Sequence, residues 1–141
     1  MVEGFAWDRY LKYDEMTAFL EELCEKYPDL ASMYSIGKTW QGRDIWCIEI
    51  TNKKTGPAKD KPAVYVDGNT HAGGMISLYT AWQLLSEYSS APKIAELVDT
   101  RTFYVVPRLS ADGAELYLTE PYIPRSSIRP WPFEEQQDGL Y

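Results

Sequence analysis

The sequence Ala63-Val64-Tyr65-Val66-Asp67-Gly68-Asn69-Thr70-His71-Ala72-Gly73-Gly74 decides the fold of this chain. Its apolar first half predicts a buried strand, and the glycines that follow predict a turn leading into a helix. His71, the only histidine in the sequence, lies in that turn. The end of a strand in an α/β protein is a common place for a catalytic or metal-binding group. The stretch therefore predicts an α/β fold with His71 as a candidate functional residue, and the alternative is a structural, hydrogen-bonded histidine.

The amino-acid composition argues against some classes of binding partner. The chain has 141 residues, which is the length of one domain. Its 14 basic and 21 acidic residues give a net charge of −7, which argues against binding to nucleic acid or to an anionic membrane surface. No apolar run reaches the roughly 20 residues that span a bilayer. Residues 1–10 do not have the pattern of a signal peptide, and both a secreted and a cytoplasmic location stay open.

Periodicity outside this stretch predicts three more strands and two long helices. The helices cover 15–26, with Asp14 as the N-cap, and 75–88. The other strands cover 32–36, 45–51 and 102–106. The strand at 102–106 is apolar on both faces, which predicts a central position in the sheet. A short helix or turn is expected at 93–98 and a helical turn at 114–118.

Other segments are predicted from composition. Residues 1–12 form an N-terminal arm that lies against the body, and residues 119–141 form a proline-rich irregular tail. Cys24 and Cys47 lie in apolar patterns and are expected to be buried free thiols. The tryptophans fall mostly in core patterns, and Asp112-Gly113 is a turn signal without chemistry of its own.

A zinc site requires ligands besides His71. Catalytic zinc sites use three protein ligands and one open position. A glutamate three residues after the histidine is a common second ligand, but position 74 is glycine. Asp67, four residues before His71, either orients the histidine or caps the turn, and both interpretations stay open.

Arg125 and Arg129 are the second candidate pair. They flank two serines in a segment stiffened by prolines. Two guanidinium groups could hold a carboxylate by forked hydrogen bonds. The alternative is that both are solvent-exposed surface charges.

Several motifs, in order, resemble those of the zinc carboxypeptidase family, the carboxypeptidase A/B-like metallopeptidases. The helix with Tyr27-Pro28 at its end resembles that family's first helix. Three further segments resemble its GRxI hairpin, its HAxE strand end and its NPDG loop, namely 36–46, 67–73 and 107–113. The resemblance is to the N-terminal half of the family.

The resemblance implies a three-layer α/β/α sandwich with a mixed sheet, of which residues 1–141 form one partial domain. It implies a zinc ion, with His71 as a ligand, that activates water to hydrolyse C-terminal peptide bonds. Arg129 is the nearest match to the catalytic arginine that polarises the scissile carbonyl, and Arg125 is the second. Both would bind the substrate, which is the C-terminus of a peptide or protein.

The chain departs from the family pattern in its metal ligands. The glutamate ligand is missing near Gly74, and neither a second histidine nor the catalytic glutamate of the C-terminal half is matched. The sequence therefore predicts a carboxypeptidase-like domain that is incomplete or inactive. The alternatives are a non-catalytic module that binds peptide carboxylates and a truncated remnant. A partial sheet would also expose an edge strand, which predicts self-association.

Overall fold

A computed structural model describes residues 7–72, 75–121, 123–125 and 128 of the chain. Four strands form one mixed sheet with the spatial order β1-β2-β4-β3. They are β1 (Ala31–Lys38), β2 (Asp44–Ile50), β3 (Ala63–Asp67) and β4 (Thr102–Val106). The β1–β2 and β2–β4 pairs are antiparallel, and β3 runs parallel to β4. The mixed α/β fold and the central position of β4 are confirmed.

Four α-helices occur in the described part of the chain: α1 (Tyr13–Lys26), α2 (Ile76–Ser86), α3 (Pro92–Thr100) and α4 (Ala111–Thr119). The two long helices agree with the prediction to within a few residues. The segments at 93–98 and 114–118 belong to complete helices of nine residues each. Pro92 begins α3, where its fixed φ favours helix and its missing N–H has no cost. No described helix is long and apolar enough to cross a membrane.

The start of α1 corrects the predicted N-cap. The N-cap residue is Lys12 rather than Asp14, and the Glu15 carboxylate accepts the backbone N–H of Lys12 at 2.8 Å. The backbone N–H of Tyr13 donates to Oε2 of Glu115 in α4, also at 2.8 Å. This long-range contact satisfies a free N–H of the first turn, so the helix begins earlier than its local sequence indicates.

The core lies on one face of the sheet. Alternation along the strands places one set of apolar side chains on this face, and helices α1, α2 and α3 contribute the others to the same cluster. The largest fully buried side chains of this cluster are Leu20, Leu23, Ile48, Ile50, Leu78, Leu85, Val98 and Val105. Cys24 and Cys47 are free thiols, as predicted. Burial raises the pKa of both.

β3 contradicts the prediction of a buried strand. It lies at the edge of the sheet that the described strands form, and four of its five residues are exposed. Val64 is 39% and Tyr65 is 59% exposed. An apolar pattern shows which side chains a strand could bury, but burial also requires neighbours, and among the described residues β3 pairs only with β4.

The N-terminal arm is held by aromatic contacts. The Trp7 ring lies edge-on to Phe19, Tyr79 and Trp82, with ring centroids 5.9, 5.0 and 5.5 Å away. Such edge-to-face pairs add to the free energy of apolar burial. Trp7 and Leu11 therefore lie against the body, whereas Tyr10 is 49% exposed. Residues 1–6 of the predicted arm lie outside the described residues. Trp40 departs from the predicted core pattern, since it is 64% exposed.

Gly68 allows α2 to approach the end of β3. A Cβ atom at this position would lie 2.0 Å from Oγ and 2.9 Å from Cβ of Ser77, which is fully buried. We expect Gly68→Ala to lower the free energy of unfolding by about 1–3 kcal/mol because the contact forces α2 outward. Urea denaturation measures the change. Thr70→Ala, at an exposed neighbouring position, is the control, and an equal effect of both variants would contradict this explanation.

Candidate functional site

The turn after β3 has a defined backbone conformation. Asn69 is buried and has a φ of 57°, in the left-handed region that asparagine adopts more readily than most residues. Its side-chain amide donates to the carbonyl oxygen of His71. The backbone N–H groups of Leu109 and Ser110 donate to the carbonyls of Gly68 and Asn69 at 3.0 and 3.1 Å. The His71 turn is thus attached to the segment between β4 and α4.

The buried side chain of Arg108 supports the His71 turn. It is 3% exposed, and its Nε donates to Oδ1 of Asn69 at 2.9 Å. Its Nη2 donates to the carbonyl of Leu11 at 2.7 Å, and its Nη1 has no hydrogen-bond partner among the described residues. Burial lowers the pKa of the guanidinium, and the charge of Glu115 opposes that shift. Arg108 therefore connects the N-terminal arm to the residue that holds the His71 carbonyl.

Arg125 lies beside His71, although 54 positions separate them in sequence. The backbone N–H of Ala72 donates to the carbonyl of Arg125 at 2.9 Å. An open cleft of about 310 Å³ is lined by His71, Ala72, Tyr117, Ile123, Pro124 and Arg125. Both His71 and Arg125 are exposed. The structure thus brings together two of the three predicted site residues.

The third predicted site residue, Arg129, lies outside the described residues, as do Trp131 and most of the predicted tail. Asp67 ends β3 with an exposed side chain. Partial burial, and secondly the nearby Asp67 carboxylate, raise the pKa of the Tyr65 phenol. No hydrogen bond between Asp67 and His71 occurs among the described contacts.

Asp112 lies in the first turn of α4, where the sequence predicted a turn, and its carboxylate is buried. Its Oδ1 accepts the hydroxyl of Thr39 at 2.7 Å and Nη1 of Arg43 at 2.8 Å. Its Oδ2 accepts the backbone N–H of Gln41 at 2.9 Å. One carboxylate thus holds the turn of the β1–β2 hairpin against α4, the helix whose Tyr117 lines the cleft.

Sequence reasoning missed Asn69, Arg108 and Asp112 as supports of the site. For Asn69 and Asp112 a signal was present: Asn after Gly at a strand end favours a left-handed turn, and Asp is typical of first helical turns. Arg108 had a weaker signal, a single charge that directly follows a fully apolar strand and a proline.

Comparison with known proteins agrees with this arrangement. The family model described as zinc carboxypeptidase matches residues 16–137. This chain belongs to the zinc carboxypeptidase family. The motifs around His71 and Asp112 both fall inside the matched range, so the predicted family resemblance is confirmed.

This chain covers only part of the length of each relative that it matches. Carboxypeptidase B of Astacus astacus is 31% identical over 115 residues, which are 81% of this chain and 37% of that protein. Human carboxypeptidase D is 31% identical over 111 residues, 76% of this chain and 8% of that protein. This carboxypeptidase-family chain thus spans little more than a third of the first of these relatives.

Solved structures show the same fold. The structure of thrombin-activatable fibrinolysis inhibitor superposes with a TM-score of 0.75 at 19% identity, covering 85% of this chain and 30% of that one. Carboxypeptidase A from Helicoverpa armigera superposes with a TM-score of 0.71 at 21% identity, covering 84% and 29%. The sheet and helices described above are therefore part of a carboxypeptidase fold.

The residues described in this carboxypeptidase domain do not fit a zinc ion. No group of three histidine, cysteine, aspartate or glutamate side chains is placed to hold a metal anywhere in the described ranges. The cleft at His71 contains no carboxylate or thiol, and positions 73 and 74 are glycines, which offer no side chain. His71 is thus a single potential ligand, where zinc sites use three or four.

Proposed function

We propose that the cleft between His71 and Arg125 binds the C-terminal carboxylate of a peptide without hydrolysing it. The main support for this proposal is that Arg125 and His71, the only histidine of the sequence, line one open cleft although they lie far apart in sequence. Arg125 is exposed and forms no salt bridge with any carboxylate of the described residues. Its guanidinium is therefore available to an incoming anion.

The rest of the cleft fits the end of a peptide chain. Ile123 and Pro124 give an apolar wall and Tyr117 an aromatic one. A guanidinium can hold a carboxylate by two parallel hydrogen bonds, and the His71 ring can donate a further one. Arg129, four residues after Arg125, is proposed as a second guanidinium for the same carboxylate.

Peptide titration tests this proposal. A fluorescent peptide with a free C-terminus is expected to bind, and the same peptide with an amidated C-terminus is expected to bind at least tenfold more weakly. Arg125→Ala should raise the dissociation constant about 10- to 100-fold, since a hydrogen bond to a charged group contributes about 1.5–3 kcal/mol. Arg129→Ala should weaken binding in the same direction.

Two controls limit the interpretation of the titration. Arg101→Ala removes an exposed arginine whose only described side-chain bond is to a neighbouring carbonyl, and it should leave binding unchanged. A chelator should also leave binding unchanged. Equal binding of the free and the amidated peptide, or of Arg125→Ala and the parent protein, would contradict the proposal.

Hydrolysis of C-terminal peptide bonds is the second candidate, favoured by the family match over residues 16–137. It requires about one zinc ion per chain and cleavage of a blocked dipeptide that a chelator abolishes. A preparation that cleaves the dipeptide in this way would replace the binding proposal, whereas binding without turnover would support it.

A further inference from the structure

One residue of the N-terminal arm, Leu11, is connected through its backbone to the chain on both sides of His71. The Leu11 carbonyl accepts Nη2 of Arg108 at 2.7 Å, and Nε of Arg108 donates to Asn69 at the start of the turn. The Leu11 N–H donates to the sulfur of Met75, the residue that precedes α2, at 3.2 Å. A thioether is a weak acceptor, so the connection through Arg108 is the stronger one. The position of Leu11 therefore affects both ends of the turn.

Two side chains of the arm pack into apolar surroundings. The Leu11 side chain is 2% exposed and belongs to the hydrophobic core. The Trp7 ring lies edge-on to Tyr79 and Trp82 of α2, with ring centroids 5.0 and 5.5 Å away. Residues 8–10 between these two contacts are exposed. A short segment held in this way can separate from the body by local opening while the sheet stays folded.

The Asn69 side chain connects Arg108 to the cleft. Its Oδ1 accepts Nε of Arg108 at 2.9 Å, and its amide group donates to the carbonyl of His71. The next residue, Ala72, donates its backbone N–H to the carbonyl of Arg125 at 2.9 Å. A continuous series of contacts thus leads from the arm to both cleft residues that the proposed carboxylate site uses.

We infer that docking of the N-terminal arm regulates the affinity of the peptide cleft, an inference that rests on the proposed function. With Trp7 and Leu11 in place, Arg108 holds the His71 turn and the cleft has its binding geometry. When the arm separates from the body, Arg108 loses its carbonyl acceptor, the turn loosens and the affinity for a peptide carboxylate falls. Coupling between two sites is reciprocal, so bound peptide also favours the docked arm.

Trp7→Ala tests this coupling because it weakens docking of the arm and leaves the groups that connect Leu11 to the turn unchanged. In native-state hydrogen exchange, the Ala72 amide should exchange at least roughly tenfold faster than in the parent, because the turn opens with the arm. The dissociation constant of the peptide with a free C-terminus should rise about fivefold, which corresponds to a docked arm in one fifth of the molecules. Saturating peptide should slow exchange of the Leu11 amide in Trp7→Ala.

Three further variants separate docking of the arm from general stability. Trp7→Leu keeps more of the apolar contact and should shift both quantities in the same direction by a smaller factor. Tyr10→Ala removes a side chain of the same arm that is 49% exposed, and it should change neither Ala72 exchange nor peptide affinity. Val98→Ala removes buried atoms of α3 and should lower the free energy of unfolding, again without changing either quantity.

The exchange rate of the Ala72 amide is measured without peptide, so the two proposals fail in different ways. An unchanged Ala72 rate in Trp7→Ala would overturn the role of the arm, and so would an equal acceleration in Val98→Ala, which would trace the effect to global unfolding. Equal binding of free and amidated peptide by the parent chain contradicts the proposed function. Carboxylate-dependent binding that Trp7→Ala leaves unchanged overturns the role of the arm alone.

Discussion

Replacing Asp112 by alanine is expected to lower the free energy of unfolding by about 3 kcal/mol. The Asp112 carboxylate is buried and accepts three hydrogen bonds from the turn between β1 and β2. Without it, the Thr39 hydroxyl and the Gln41 N–H lose their acceptor, and the partly buried Arg43 loses its counter-charge. Urea denaturation measures the loss.

Two further variants test whether the loss of stability comes from the hydrogen bonds of the Asp112 carboxylate. Asp112→Asn keeps the shape and one acceptor oxygen, so about half of the loss is expected. Glu25→Ala removes an exposed carboxylate on α1 and should change stability by less than about 0.5 kcal/mol. Faster hydrogen exchange at the Gln41 amide in Asp112→Ala would locate the damage in the hairpin turn. If Asp112→Ala and Glu25→Ala were equally stable, the carboxylate would not be what holds the hairpin to α4.

The second large effect is expected for Arg108→Ala. The substitution removes the hydrogen-bond donors to Asn69 and to the Leu11 carbonyl. It also leaves a cavity, because the Arg108 side chain is almost completely buried. Relief from burying the charge offsets part of this loss. We expect a net decrease of about 3 kcal/mol in the free energy of unfolding, measured by denaturation as above.

A local measurement separates the positioning role of Arg108 from its effect on stability. Under native conditions, the Ala72 amide, which donates to the Arg125 carbonyl, should exchange faster in Arg108→Ala because Asn69 no longer holds the His71 turn. Asn69→Ala should produce the same change at Ala72. A double-mutant cycle should show coupling of about 1 kcal/mol between Arg108 and Asn69. Arg101→Ala, at an exposed position, should change neither quantity, and independent effects of the two substitutions would contradict this connection.

Local patterns in the sequence were sufficient for the strands and the two long helices. The spacing of Met16, Phe19, Leu20 and Leu23 predicted α1, and all four side chains are buried. The run 102–106 predicted a central strand because it has no polar face. These features depend on residues that are close in the chain, where helix and strand periods determine which side chains share a face.

The site depended on contacts that no local pattern contains. Thr39 and Asp112 are 73 residues apart, and Arg108 meets Leu11 across 97 residues. Neither contact follows from the type of residue alone, because buried hydrogen bonds of this kind form only when the folded backbone brings donor and acceptor within about 3 Å. The same holds for His71 and Arg125, which the sequence singled out separately and the tertiary structure placed in one cleft.

The stretch 63–74 illustrates what the local sequence determines and what the tertiary structure determines. The sequence by itself determined that a strand runs into a glycine-rich turn with the sole histidine, and its motifs identified the zinc carboxypeptidase family. Only the tertiary structure decided that β3 is exposed at the edge of the described sheet and that Asn69 and Arg108 hold the His71 turn. The physical reason is that a strand's alternation depends on its own residues, whereas burial and hydrogen bonding depend on which distant segments lie beside it.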